Sequence, residues 1–273
     1  MSEMNDRRPI GVFDSGLGGL TVLKAVMAEL PHEHTVYFGD SGRAPYGSKS
    51  PETVIKFSLQ NVRFLIEQQV KMIIIACNTA SSRAYEAVRG ATDIPVVEVI
   101  GPGAKMAAAL TRNGRIGVIG TRGTVDSQVY PKTIRRHAAK EVQIFQQACP
   151  LFVSLAEEGW WDRSVTREIA EIYLRPILES GIDTLVLGCT HYPLLSRIIG
   201  EIAGPQVTLI NAGQPVARIA KQEMQRLGLC SGSTKAGQHT YYTSDSVDQF
   251  RELGSAFLAE PVDQASRIDI ERY

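Results

Sequence analysis

The chain has 273 residues, 44% apolar and 21% charged, with 29 Lys plus Arg against 29 Asp plus Glu. That makeup is globular, long for one domain and comfortable for two. It excludes the basic surplus of a nucleic-acid binder and the acidic tail of a disordered arm.

Residues 1–9 are polar and lack an apolar h-region, so no secretory signal is expected. No apolar stretch approaches the ~18 residues of a membrane span. Strand 10–13 leads into Asp14-Ser15-Gly16 and a helix over 20–28. Pro31 opens a loop holding His32 and His34, and strand 35–38 leads into Gly39-Asp40-Ser41. In helix 51–68, Val54, Phe57, Leu59, Val62, Leu65 and Ile66 keep mostly helical spacing. Strand 72–76 runs into Cys77-Asn78-Thr79, followed by a helix over 81–88 and a strand over 96–99. Ile100-Gly101-Pro102-Gly103 is a cluster of breakers. Beyond it come helix 103–110, strand 116–119, helix 129–137, strand 143–145 and helix 164–179. Strand 184–187 then leads into Cys189-Thr190-His191, followed by helix 194–202, strand 208–210, helix 216–227 and strand 240–243.

Most of these strands are rich in Val and Ile without strict alternation, as in parallel sheets covered on both faces. The alternation of strand and helix predicts an α/β fold with largely parallel sheets. The pattern restarts after the breakers: Arg8-Pro9-Ile10-Gly11-Val12-Phe13 is echoed by Gly114-Arg115-Ile116-Gly117-Val118-Ile119. The cysteine strands then follow, Cys77 lying 63 residues after Asp14 and Cys189 lying 68 after Thr121. The reading is a diverged duplication: two similar α/β domains related by pseudo-symmetry, with a cleft between them. The first would comprise residues 1–99 plus 211–273, and the second residues 100–210.

Cys77 and Cys189 are 112 residues apart in nearly the same setting, each ending a buried strand before a polar turn. A thiol at a helix N-terminus can be made reactive. One such cysteine is more often inert core than nucleophile; two on related halves can face one ligand from opposite sides. Open α/β sheets bind ligands beyond the carboxyl ends of their strands. There Ser15, Thr79 and Thr190 would offer hydroxyls, helix-opening N–H groups would favour a carboxylate, and Asp14 could pair an ammonium. Together these describe a site for an amino acid. Asp14 is equally good capping chemistry, and the two readings are compatible. His191 could be a core histidine, but beside Cys189 it is placed to help a proton move. Glu157 reads from physics alone as a solvated helix end. Cys149 and Cys230 read as structural. Four cysteines without CxxC spacing are no disulfide framework, so reduced thiols in a cytoplasm are expected. The lone CxH at Cys189 has no second ligand pair for zinc. Gly16-Leu17-Gly18-Gly19-Leu20-Thr21 fails the dinucleotide fingerprint because Thr21 stands at its third glycine. Trp160-Trp161 reads as a packing pair at either a domain or a subunit contact.

At these residues the chain closely resembles the glutamate racemases of bacterial cell-wall synthesis. The matching stretches are 11–19 (GVFDSGLGG), 37–47 (YFGDSGRAPYG), 74–80 (IIACNTA), 148–157 (ACPLFVSLAE) and 187–193 (LGCTHYP), and the likeness continues through 241–244 and 257–261. Aspartate and hydantoin racemases share the two-cysteine plan, but these motifs look most like the glutamate enzymes. The resemblance implies no cofactor, and Cys77 and Cys189 as the acid/base pair, Cys77 deprotonating D-glutamate and Cys189 L-glutamate. It implies Asp14, Glu157 and His191 as assisting groups and Asp40 as an influential acid. Ser15, Tyr46, Gly47, Asn78, Thr79 and Thr190 match substrate contacts. Family members are often homodimers, and the implied role is supply of D-glutamate for peptidoglycan. One departure is Asn211-Ala212, where the family more often has Asp-Ser.

Two rival readings come from other classes. Cys77 to Arg83 has the C-x5-R spacing of a phosphatase loop, although it holds no Gly and leaves Cys189 without a role. A protein that only binds an amino acid would not need both thiols.

Overall fold

Every residue of the first strand, Ile-Gly-Val-Phe-Asp, is buried, because side chains on both of its faces meet a covering layer. In the computed structural model, which describes residues 6–273, this pattern recurs in two parallel sheets. The chain runs β1 (Ile10–Asp14), α1 (Leu20–Glu29), β2 (Thr35–Gly39), α2 (Pro51–Glu67), β3 (Met72–Ile75), α3 (Asn78–Gly90), β4 (Val96–Glu98) and α4 (Ile100–Leu110). It continues through β5 (Arg115–Gly120), α5 (Arg122–Asp126), α6 (Val129–His137), β6 (Gln143–Ala148), α7 (Leu151–Glu157), α8 (Ser164–Leu178), β7 (Thr184–Gly188), α9 (Ser196–Ala203) and β8 (Thr208–Ile210). It ends with α10 (Gly213–Leu227), β9 (His239–Thr243), α11 (Val247–Leu258) and β10 (Ala265–Arg267). The six-stranded sheet has the order β10-β9-β2-β1-β3-β4 and the four-stranded sheet β6-β5-β7-β8, every pairing parallel.

The two inner faces share one core. Ile10, Val12, Met72 and Ile74 of the large sheet belong to the same buried cluster as Ile116, Val118 and Val186 of the small one, with α1, α4 and α10 contributing. The intervening residues point outward: Phe13, Ile73 and Ile75 under α2 and α3, and Ile119, Leu185 and Leu187 under α8 and α9. The repeated Ile-Gly-Val has a packing reason. A Cβ at Gly11 would stand 2.9 Å from Val70, and one at Gly117 would stand 2.6 Å from Ile182.

Several local details differ from the sequence reading. α3 starts at Asn78, three residues early, because Cys77 itself caps it: its Sγ accepts from Ala80 N at 3.4 Å. The breaker cluster is the first turn of α4. Glu98 accepts from the backbone of Ile100 at 2.5 Å and Gly101 at 2.7 Å, and Pro102 needs no N–H so near a helix start. Helices α5 and α11 and the edge strand β10 lie outside the elements read from the sequence; β10 has no apolar pattern of its own and forms by pairing with β9. Asn211 stands in for the usual Asp, its Oδ1 accepting from Gly213 N at 2.9 Å. Trp161 packs on the outer core of the small sheet and donates from its indole to Ala156 O at 2.9 Å, whereas Trp160 is largely exposed. The reading of residues 1–9 as lacking a signal falls partly on residues 1–5, outside those described. Among the described residues no helix is long and apolar enough to cross a membrane.

Candidate active site

The carboxyl ends of β1, β3, β5 and β7 converge. There Ser15, Tyr46, Gly47, Cys77, Asn78, Thr79, Glu157, Cys189, Thr190 and His191 line one cavity of about 380 Å³, its open mouth included. Both thiols are therefore on one space, one from each sheet. A larger chamber of about 1110 Å³ adjoins it and shares Gly16, Ala44, Pro45, Gly47, Thr121, Val153 and Glu157. Among the described residues, no Lys or Arg lines the inner cavity, and Arg122 is the only one lining the outer. Arg83, the phosphatase-style clamp, lines neither.

The approach of the two halves depends on Gly18. A Cβ there would lie 2.5 Å from His191 Nδ1 and nearer still to Thr190 Oγ1. Thr21 Oγ1 donates to Thr190 O at 3.0 Å, and Tyr37 Oη donates to Gly16 O at 2.7 Å. The glycine-rich turn is thus shaped for the cysteine turn of the other half, not for a phosphate.

The two thiols have unequal surroundings. Cys189 Sγ is 3.7 Å from His191 Nδ1, and His191 Nε2 is 3.0 Å from Glu157 Oε1. Burial disfavours the imidazolium, but the hydrogen bonds to Cys189 and Glu157 outweigh it and raise His191 to about 10. Glu157 is therefore more than a solvated helix end. Cys77 donates to Ser15 Oγ at 3.5 Å. Burial, then the charge of Asp14, pushes this thiol up to about 12, against the pull of the Ala80 N–H. The sequence reading expected the helix N-terminus to favour a thiolate; here desolvation wins.

Asp14 and Asp40 line neither cavity. Asp14 is fully buried one layer behind. It accepts from Gly16 N at 3.2 Å and from Thr190 Oγ1 at 3.5 Å, and burial raises its carboxyl. Asp40 is the hub of a support network. It accepts from Tyr46 Oη, from Ser244 Oγ at 2.8 Å and from Arg43 Nε at 2.8 Å, while Arg43 also donates to Gln60 at 2.6 Å and covers the Phe57 ring. That network holds the turn carrying Tyr46 and Gly47.

Sequence reasoning missed Thr121, Val153, Ala44 and Pro45 in the lining. Thr121 caps α5 and meets Thr79 Oγ1 at 2.9 Å across the cleft. It could have been found, because matching Ile10 to Ile116 matches Ser15 to Thr121. Cys149 is buried, its carbonyl accepting from Tyr192 Oη at 2.9 Å; all four cysteines are free thiols. Among the described residues no group of three or more His, Cys, Asp or Glu is placed to hold a metal ion.

Residues 19–220 match the family described as Asp/Glu/Hydantoin racemase. The glutamate racemase of Geobacter metallireducens is 48% identical over 264 residues, covering 97% of each chain. Among solved structures, glutamate racemase from Francisella tularensis in complex with D-glutamate superposes with a TM-score of 0.91 at 38% identity, covering 98% of this chain and 100% of that one. The Escherichia coli glutamate racemase in complex with L-glutamate and the activator UDP-MurNAc-Ala gives 0.81 at 30% identity, covering 96% and 98%.

Proposed function

Because the chain belongs to the Asp/Glu/hydantoin racemase family, we propose that it interconverts L- and D-glutamate, without a cofactor, by proton transfer between two thiols. The observation that carries the mechanism is the shared cavity of Cys77 and Cys189, one from each sheet.

The Cα proton of an amino acid is a very weak acid, and inversion needs a base on one face with an acid on the other. The imidazolium of His191, held by Glu157, stabilises negative charge on Cys189 Sγ, 3.7 Å away. Cys77, raised to about 12, keeps its proton at neutral pH. For L-glutamate, Cys189 takes the Cα proton and Cys77 delivers its own to the opposite face. The roles exchange for D-glutamate, where the Ala80 N–H and Ser15 hydroxyl steady the Cys77 thiolate.

Charge developing toward the α-carboxylate is met by neutral donors, namely the hydroxyls of Ser15, Thr79 and Thr190, the Asn78 amide and the opening N–H groups of α3. The turn at Tyr46 and Gly47 receives the side-chain carboxylate. Acid/base positioning supplies only ~10²–10⁴-fold, so much of the acceleration comes from these donors and from exclusion of water. Asp14 and Asp40 act from behind the lining, on the Thr190 and Tyr46 contacts. Residues 1–99 with 211–273 form one domain and residues 100–210 the other, with the cleft between them. Reduced thiols suit a cytoplasmic enzyme that supplies D-glutamate for peptidoglycan.

The test is incubation with L-glutamate in D₂O without added cofactor. Deuterium should enter Cα of the D-product, and replacing either Cys77 or Cys189 by Ala should abolish racemisation. Normal turnover in either variant would reject the two-thiol assignment.

A further inference from the structure

Asn78 opens α3 directly after Cys77 and lines the inner cavity. Its Oδ1 accepts from Tyr130 Oη at 2.7 Å. Tyr130 belongs to α6 in the other half of the molecule and is fully buried, and among the described residues its hydroxyl makes no other hydrogen bond. Its ring also lies against the other cysteine turn. A Cβ on Gly188, the residue before Cys189, would stand 3.1 Å from Tyr130 Cε2. One side chain outside the cavity therefore touches the backs of both thiol-bearing segments.

A carboxamide has two orientations of nearly equal shape, and its neighbours choose between them. With Oδ1 on Tyr130, Asn78 Nδ2 makes no hydrogen bond among the described residues, and it belongs to a side chain that lines the cavity. A flipped amide would leave the buried Tyr130 proton without an acceptor, and a buried donor left unpaired is costly. The flip would also aim a carbonyl oxygen at whatever anion enters.

We propose that Tyr130 is a positioning residue: through Asn78 Oδ1 it locks the carboxamide so that Nδ2 donates to the α-carboxylate of the substrate. The proposal rests on the amino-acid racemase reading. It makes carboxylate binding by one half of the molecule conditional on contact with the other, so binding and closure of the cleft are coupled.

The test is Tyr130→Phe, which keeps the ring and removes only the donor, measured alone and with Asn78→Ala. Tyr130→Phe should raise KM for either enantiomer about fivefold to tenfold while kcat stays within about threefold, since the contact serves bound substrate generally. In the Asn78→Ala background the same change should have no further effect on KM. Unchanged KM in Tyr130→Phe, or the same rise in both backgrounds, overturns the proposal. Asn78→Asp supplies a second readout: it still accepts from Tyr130 but offers no donor, so its KM should rise more than that of Tyr130→Phe. Glutamate binding by Asn78→Asp as tight as in the parent also overturns the proposal. A parent enzyme that racemises nothing would reject the underlying activity instead.

Discussion

Adding a methyl group at Gly18 tests whether the close approach of the two halves sets the catalytic geometry. The Cβ of Gly18→Ala would lie 2.5 Å from His191 Nδ1, where ordinary contact starts at 3.4 Å. Relieving the contact requires the Thr190 and His191 side chains to move away from the turn by about 1 Å, since Thr190 Oγ1 would stand nearer still. His191 Nδ1 is the atom facing Cys189 Sγ, and Thr190 Oγ1 is bonded to Asp14. A displacement of about 1 Å in a catalytic group costs about 10²-fold in rate, while overpacking lowers stability by about 1–3 kcal/mol. We expect a folded protein whose kcat/KM falls about a hundredfold, read by circular dichroism from either enantiomer. Mirror symmetry of the reactants requires the loss to be equal in both directions. Gly90→Ala is the control, since nothing lies within 4 Å of the added methyl, and it should keep full activity. A folded Gly18→Ala protein with kcat/KM within about threefold of the parent would refute the argument.

Three further outcomes are expected. His191 holds its proton up to about pH 10, above the ~6.5 of free imidazole, so its stabilising contribution is full below about pH 6.5 and is lost as pH rises through 10. Thermal melts of the parent and His191→Gln should therefore converge across that window; a gap that widens with pH would contradict the assignment. Asp14→Asn removes a charge that helps to raise the Cys77 thiol, so in a Cys189→Ala background alkylation of Cys77 by iodoacetamide should begin at lower pH. An unshifted profile would mean that burial alone sets this thiol. Lys71 sits at the start of β3, at the opposite end of the strand from Cys77, with its Nζ buried 2.6 Å from Glu33. Lys71→Met should cost about 3–5 kcal/mol in denaturant unfolding and leave kcat of the folded fraction within about twofold. Comparable losses in rate and stability would show that this end of the sheet is coupled to the site.

The parts of the site most legible from residues alone were those following strands. Asp14, Cys77 and Cys189 each end an apolar run, and a buried parallel strand announces itself by Val and Ile without alternation. Glu157 was read as a solvated helix end because nothing local connects it to His191, 34 residues away. Thr121 was visible only through the internal repeat. Tyr130 was one more aromatic on an amphipathic helix; its hydrogen bond to Asn78 spans 52 residues and the two halves of the molecule. At Cys77 the capping position is local and points toward a thiolate, whereas the desolvation that raises the thiol depends on everything packed around the sulfur.

Chain order and side-chain chemistry are enough to establish a parallel α/β protein, its internal repeat, and two thiols at equivalent strand ends. They do so because strand burial, breakers and caps are governed by neighbours in sequence. Which groups meet was settled by packing. Gly18 admits His191, Thr190 reaches Asp14, and Cys189 and Glu157 together raise His191. The proton affinities follow from that packing, since burial and charge separation are properties of the assembled interior. The paired cysteines are alike in sequence and acquire unlike surroundings only in the folded protein, one enclosed beside a carboxylate and the other beside an imidazole.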